Sequence, residues 1–466
     1  MRHGRGVDKE CNKVAYLTKK YAVMRIVIAG AGEVGVHLAK LLSNENQDII
    51  IIDTDEDKLA KLEPYNMLTH VGNPVSFETL RDADAGNSDL FIAVTPYETD
   101  NVLACEIAKS FGAKKTVARI DNYDFMKEEN RAFFAERGIY DLIYPEYLAA
   151  EEMETALNRA WVRHWFELCN GELLIVGVKM RQNAKLVGMP LKELFKVANY
   201  AHISAIKRNH ETIIPRGDDY IRENDIVYVA TTKDGIDNLR ELCGKSDIII
   251  KKLMIMGGSR IAVRLAMRVG NKYDITIVES NMKRCEQLAE MLPDCRIIHG
   301  DGRTSDVLEE ENVEDMDAFI SLTDSSETNI LACLAAKQYG VKKTIAEVEN
   351  IKFISEAETL NIGTVINKKL LASSKIFQIL LDSDSSTAKC LALADAEVAE
   401  MVAKKGSKIT KTKIRELDIP RDITIAGMVR NGKGSLVQGE TQIQEGDRVV
   451  VFCLSGAIHK VEKLFN

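Results

Sequence analysis

The chain has 466 residues, 62 basic against 70 acidic, with a formal net charge of −8. That length allows three or four domains with ample core, and the mild acidity argues against nucleic acid or an anionic lipid surface as main partner, since either favours a basic face. No apolar run approaches the ~18 residues that a membrane helix needs, and the densest, Ile49–Ile52, is strand-sized. The nine cysteines include no CxxC pair. In a long chain without a secretory h-region they read as reduced intracellular thiols, neither a disulfide framework nor a zinc site.

Residues 1–23 are polar and basic without strand or helix pattern. They read as a flexible N-terminal extension, a targeting arm being the lesser alternative. From Met24 the pattern alternates: strand Arg25–Ala29, helix Gly35–Ser43, strand Ile49–Ile52, helix Asp55–Leu62, strand Leu90–Thr95, helix Asn101–Phe111. Continuous apolar strands between amphipathic helices predict a doubly wound parallel sheet, a Rossmann-like domain over 24–148. Ala149–Trp165 reads as an amphipathic linker helix (149–168), with Trp161 and Trp165 four apart on one face, for core packing or a subunit contact. Residues 169–250 then show alternating strands at Glu172–Lys179, His202–Lys207 and Asp225–Ala230 with one short helix, Leu191–Val197, which predicts a small α+β module.

The order then repeats. Residues 95–116 (TPYETDNVLACEIAKSFGAKKT) align without gaps to 323–344 (TDSSETNILACLAAKQYGVKKT), and the register extends backwards with small drift, Asp89 against Asp317 and Asp48 against Asp274. PRGDDYIRENDIVYVA in the first small module matches VQGETQIQEGDRVVVF in a second. The fold class is therefore two doubly wound α/β domains, 24–148 and 251–375, alternating with two small α+β modules, 169–250 and 376–466.

Gly30-Ala31-Gly32-Glu33-Val34-Gly35 follows the first strand and opens the first helix, and Asp53 ends the second strand. Gly30 makes the tight turn, Gly32 lets the backbone approach a pyrophosphate, and Gly35 lets helix and strand pack closely. The helix N-terminus favours the anion. Asp53 accepts from ribose hydroxyls and repels a 2′-phosphate, which selects NAD(H) over NADP(H). The second copy departs: Gly257-Gly258-Ser259-Arg260-Ile261-Ala262 stands in the loop and Glu279 at the strand end. Ser259 puts a side chain where pyrophosphate approaches, and Arg260 could reach a terminal phosphate, so this pocket is either empty or suited to ADP or ATP. Gly72-Asn73 and its counterpart Asp301, with the Thr95 and Thr323 turns, stand at strand ends that border the crevice of such a sheet. Turn chemistry alone explains each of them equally well.

No catalytic set assembles. The histidines at 3, 37, 70, 164, 202, 210, 299 and 459 form no ligand pair, and no nucleophile elbow occurs. Gly244-Lys245-Ser246 lacks the leading glycine of a phosphate loop, Leu239 standing there, and reads as a linker.

The GAGEVG loop with Asp53, the DLFIAVTP…TDNVLACEIAKSFGAKKTVARI stretch and the GDDYIRENDIVYVA stretch resemble the TrkA family of Trk potassium-uptake regulators. That family is built from paired RCK (KTN) nucleotide-binding and RCK C-terminal domains, and the resemblance runs from Met24 to the C-terminus in the same order. It implies a cytoplasmic protein peripheral to the inner face of the plasma membrane. Such a protein assembles as a homo-oligomeric ring, a tetramer of double-unit chains, beneath a TrkH/TrkG-type membrane potassium subunit. It also implies NAD(H), with ADP or ATP as further candidates, as a gating ligand and not a redox partner. By the same resemblance Asn101 and Arg119 join Thr95 at the first site. An NAD-dependent oxidoreductase and a free-standing nucleotide sensor are the competing readings.

Overall fold

The computed structural model describes residues 24–43, 47–65, 67–209, 211–381, 390–393, 396–454 and 457–465; the extension 1–23 lies outside the described residues. Contacts divide the chain into two compact units, one ending at Ile143 and one beginning at Tyr144.

The first unit holds Arg25–Ala29 (β1), Asp48–Asp53 (β2), Leu68–Val71 (β3), Leu90–Ala93 (β4), Lys115–Arg119 (β5) and Asp141–Ile143 (β6). They form one parallel sheet in the order β3-β2-β1-β4-β5-β6. RIVIA, DIIIID and LFIA are buried along nearly their whole length because helices cover both faces. The helix Glu33–Ser43 turns Gly35, Leu38, Ala39 and Leu42 inward at helical spacing. The predicted helix Asp55–Leu62 is regular only over Glu56–Ala60, with Asp55 as its N-cap.

In the second unit the helix Pro145–Asn158 stops earlier than the sequence predicts. Residues His164–Leu168 (β7) form a strand instead, pairing antiparallel with Leu173–Lys179 (β8), Trp165 opposite Val176. Trp161 and Trp165 therefore do not share a helix face; both pack, partly buried, on the core of the first small module. The aromatic-rich run HWFEL suits a pleated surface, and pairing with β8 overrides the helical spacing. The helix packs through Ala149, Ala150, Met153, Ala156 and Leu157 against the core of the second α/β domain.

His202–Arg208 (β9), Glu211–Ile213 (β10) and Ile226–Thr231 (β11) complete the first module in the order β10-β9-β11-β8-β7. The second α/β domain repeats the first with Lys252–Met256 (β12), Asp274–Glu279 (β13), Arg296–His299 (β14), Ala318–Ser321 (β15), Lys343–Glu347 (β16) and Thr364–Ile366 (β17), ordered β14-β13-β12-β15-β16-β17. The duplication extends to single bonds. Asp89 Oδ2 accepts from the Arg25 amide at 2.8 Å, and Asp317 Oδ2 from the Lys252 amide at 3.1 Å. The Cys105 and Cys333 thiols donate to Val117 O and Ile345 O, each at 3.4 Å.

The second module contains Cys390–Leu393 (β18), Ala396–Val402 (β19), Ile423–Arg430 (β20), Lys433–Leu436 (β21) and Arg448–Leu454 (β22), ordered β18-β19-β22-β20-β21. The two module sheets share one core: Leu173, Tyr228 and Ala230 of the first meet Val398, Ala426 and Phe452 of the second, with the Tyr228 and Phe452 rings 5.9 Å apart. Strands β8 and β11 are in consequence buried on both faces and lack the polar-out alternation that the sequence suggests.

His202 lies at this seam, its Nε2 3.2 Å from Thr424 Oγ1, and desolvation lowers its pKa from 6.5 to about 4. The neutral ring contributes stability that is fully present above pH 6.5 and lost as pH falls toward 4, at about 1.4 kcal/mol per pH unit. In urea titrations between pH 7 and 4, the stability gap between parent and His202→Gln closes at that slope. A gap independent of pH contradicts the assignment.

Candidate functional site

In both α/β domains the chain leaves the first strand at the point where strand order reverses, the place where open parallel sheets take ligands. In the first domain Gly30 has φ +114°, and a Cβ on it would stand 3.0 Å from the Thr95 amide. A Cβ on Gly35 would stand 1.9 Å from the Gly30 carbonyl oxygen, so only glycine lets the helix come this close to the strand. Around Gly32 there is open space, with no atom within 4 Å of a Cβ position. Val36 N donates to Gly32 O at 2.9 Å, which turns the first helical turn and its dipole toward the loop. The flanking Ala31 is buried and Glu33 exposed, with Val34 half-buried.

Asp53 is buried at the end of β2. Its Oδ2 accepts from Ala31 N at 2.6 Å and its Oδ1 from Asp55 N at 2.9 Å, so the carboxylate fixes the glycine loop while keeping lone pairs for further donors. Lys58 Nζ stands 3.8 Å from Oδ1. Gly72 donates to Asp53 O, and Asn73 Oδ1 accepts from Val75 N at 3.1 Å. A Cβ on Gly72 would meet Thr79 Cγ2 at 2.6 Å.

The remaining predicted residues form a bracket under the loop after β4. Asn101, 1% exposed, accepts from Thr95 N (2.8 Å) and Oγ1 (2.7 Å), and donates to Thr95 O (3.0 Å) and Arg119 O (2.9 Å). Arg119 donates to Thr95 O at 3.1 Å and pairs with Asp121 at 2.9 Å. Asn101 thus pins the loop from beneath, and its amide is fully engaged by the protein.

The second domain keeps this bracket: Asn329 accepts from Thr323 N and Oγ1 and donates to Thr323 O and Glu347 O. Glu347 stands where the first copy has Arg119; burial raises its pKa against the opposing pull of Lys368, 3.2 Å away. Glu279 reproduces Asp53, accepting from Gly258 N and Asn281 N at 2.7 Å each. Gly257 has φ +97°, and the Ser259 hydroxyl caps the helix by accepting from Ala262 N at 3.3 Å. Arg260 turns away from the loop to Glu146, 3.0 Å away, a pairing that runs against the reach toward phosphate expected from the sequence.

Two other arginines border the loop. A cavity of about 710 Å³ is lined by Gly257, Ser259, Glu279, Arg284, Arg303 and Thr323, among others. Arg284 Nε donates to Gly258 O at 2.8 Å, and Arg303 forks onto Asp301 at 2.6–3.0 Å, which holds the Asp301 carboxyl below its ordinary range. The sequence does carry a signal for Arg284: it follows Glu279 at the interval by which Lys58 follows Asp53.

The TrkA-N domain family matches residues 26–145 and 253–368, and the TrkA-C domain family matches 175–244 and 398–466. The chain is 30% identical over 452 residues to Trk system potassium uptake protein TrkA homolog 1 of Methanosarcina mazei, covering 95% of this chain and all of that protein. It is 30% identical over 456 residues to the Trk system potassium uptake protein TrkA of Haemophilus influenzae, covering 95% and 99%. Among solved structures, the GsuK RCK domain matches with a TM-score of 0.58 at 14% identity, covering 97% of this chain and 99% of that one. The GsuK channel bound to NAD matches with a TM-score of 0.57 at 14% identity, covering 97% and 82%. These structures share the fold. By family and relatives together, the chain belongs to the TrkA family.

The glycine geometry separates two substitutions. Gly32→Ala leaves the thermal midpoint within about 2 °C of the parent. Gly35→Ala forces helix from strand and lowers it by roughly 5 °C or more, as overpacking of 1–3 kcal/mol does. Equal effects in differential scanning calorimetry refute the assignment of the close helix–strand approach to Gly35 and of open space to Gly32.

Proposed function

We propose that this TrkA-family chain is the nucleotide-sensing regulatory subunit of a Trk-type potassium uptake system, and that it binds NAD(H) in the first glycine-loop pocket. The observation that carries the reading is the buried Asp53 carboxylate, which joins the loop to the end of β2 beside open space over Gly32. A pyrophosphate fits against Gly32 and the helix start, and ribose hydroxyls donate to Asp53. In the second pocket Glu279 takes the ribose, while Arg284 and Arg303 offer cationic forks to a phosphate-rich mononucleotide such as ADP or ATP.

The nucleotide acts as a ligand. It biases a ring of chains at the inner face of the plasma membrane between two shapes, and the ring passes the bias to a membrane potassium subunit. A ligand shifts such an equilibrium only by its difference in affinity for the two states, a coupling of about 1–3 kcal/mol. The TrkA names of the full-length relatives support the potassium system, and the NAD-bound GsuK channel supports the ligand class.

Asp53→Asn tests the first pocket better than alanine, because its one side-chain oxygen still accepts from the Ala31 amide, a bond whose loss costs about 1–3 kcal/mol. In calorimetric titrations with NADH, NAD⁺, ADP and ATP, Asp53→Asn weakens NAD(H) at least tenfold. Unchanged NAD(H) affinity removes the assignment. Arg284→Ala weakens ADP or ATP and leaves NAD(H) alone; an equal loss for both ligands means that they share one pocket.

A further inference from the structure

Away from both glycine loops, a cavity of about 290 Å³ lies between the first module's sheet and the Glu358–Asn361 segment of the second α/β domain. Lys179 of β8 and Lys207 of β9 line it, each only 8% exposed. Lys207 Nζ pairs with Glu358 Oε2 at 2.6 Å, whereas Lys179 Nζ reaches only the Glu358 carbonyl oxygen, at 3.4 Å. Three more cations hold the asparagines of the wall. Arg181 donates to Asn224 Oδ1 at 3.3 Å, Arg163 to Asn361 Oδ1 at 2.7 Å, and Lys337 to Asn361 O at 2.6 Å. The other Arg163 terminal nitrogen, Nη1, is buried without a hydrogen-bond partner.

Two cations thus line a space whose one carboxylate among the described residues, Glu358, already pairs with Lys207, and three more cations stand against its wall. A buried cation without a counter-charge is costly. An oxyanion with several acceptor oxygens would satisfy the ammonium and guanidinium donors by charge-assisted bonds from different directions. We propose that this cavity binds a phosphate-bearing small anion, either inorganic phosphate or a phosphomonoester. Lys179 in the lining supplies the positive charge, supported by the cations against the wall, and the volume of about 290 Å³ holds one phosphate group with a small organic remainder. Lys179 is pulled down to about 8, first by desolvation and then by neighbouring cations.

The probes are potassium phosphate and ribose 5-phosphate, titrated calorimetrically into the full chain against potassium chloride at matched ionic strength. The parent binds one phosphate saturably, Lys179→Met weakens it at least tenfold, and Lys179→Arg retains it. Because Lys179→Met removes an uncompensated cation, its thermal midpoint in chloride is no lower than the parent's, so lost binding is not lost fold. Tighter binding of ribose 5-phosphate assigns a phosphomonoester, and equal binding assigns inorganic phosphate. Absence of saturable binding by the parent to both probes, or equal binding by parent and Lys179→Met, overturns the proposal.

Discussion

The helix Glu33–Ser43 reaches the end of β1 only because residue 35 has no side chain; a Cβ there would stand 1.9 Å from the Gly30 carbonyl oxygen. This contact brings the helix N-terminus over the strand-order reversal, and it leaves the open space at Gly32 in front of the helix dipole. Asp53 then has one loop amide within reach, and the Thr95 turn closes the side beneath which Asn101 is pinned. Each later feature of the first pocket presupposes that approach.

The second copy relaxes the constraint. Ala262 stands where the first copy has Gly35 and carries the Cβ that Gly35 cannot. The neighbouring pocket is a wide cavity bordered by Arg284 and Arg303. The acid–amide link persists through Glu279, and the Asn329 bracket persists beneath Thr323. Duplication has therefore kept the scaffold of the loop while the side chains around it changed, as expected if loop architecture is required for folding.

Much of this was legible in the sequence because it is local. Glycine spacing, apolar strands and the acid at the end of β2 all follow from short-range rules, and the internal repeat exposed the domain order. What was hidden depends on pairing and packing partners, most of them distant in the chain. Residues 159–168 read as helix by spacing, yet β7 forms because β8 offers it a pairing edge. Arg260 looked aimed at phosphate until Glu146, on a helix more than a hundred residues earlier, claimed it. Strands β8 and β11 looked half-exposed until a second sheet covered them. The cations at Lys179, Arg163 and Lys337 are scattered in sequence and gather only when a module and a domain meet.

The shared core of the two module sheets also has a consequence in time. Tyr228 and Leu173 are synthesised long before Val398 and Phe452, the residues that cover them. At roughly 5–20 residues per second the ribosome leaves that apolar face without its mate for on the order of ten to fifty seconds. A long-range pairing of this kind forms slowly even after release, because loop closure precedes any reward in contacts. The nascent chain must therefore pass an interval in which its first module exposes the apolar face that the second module later covers.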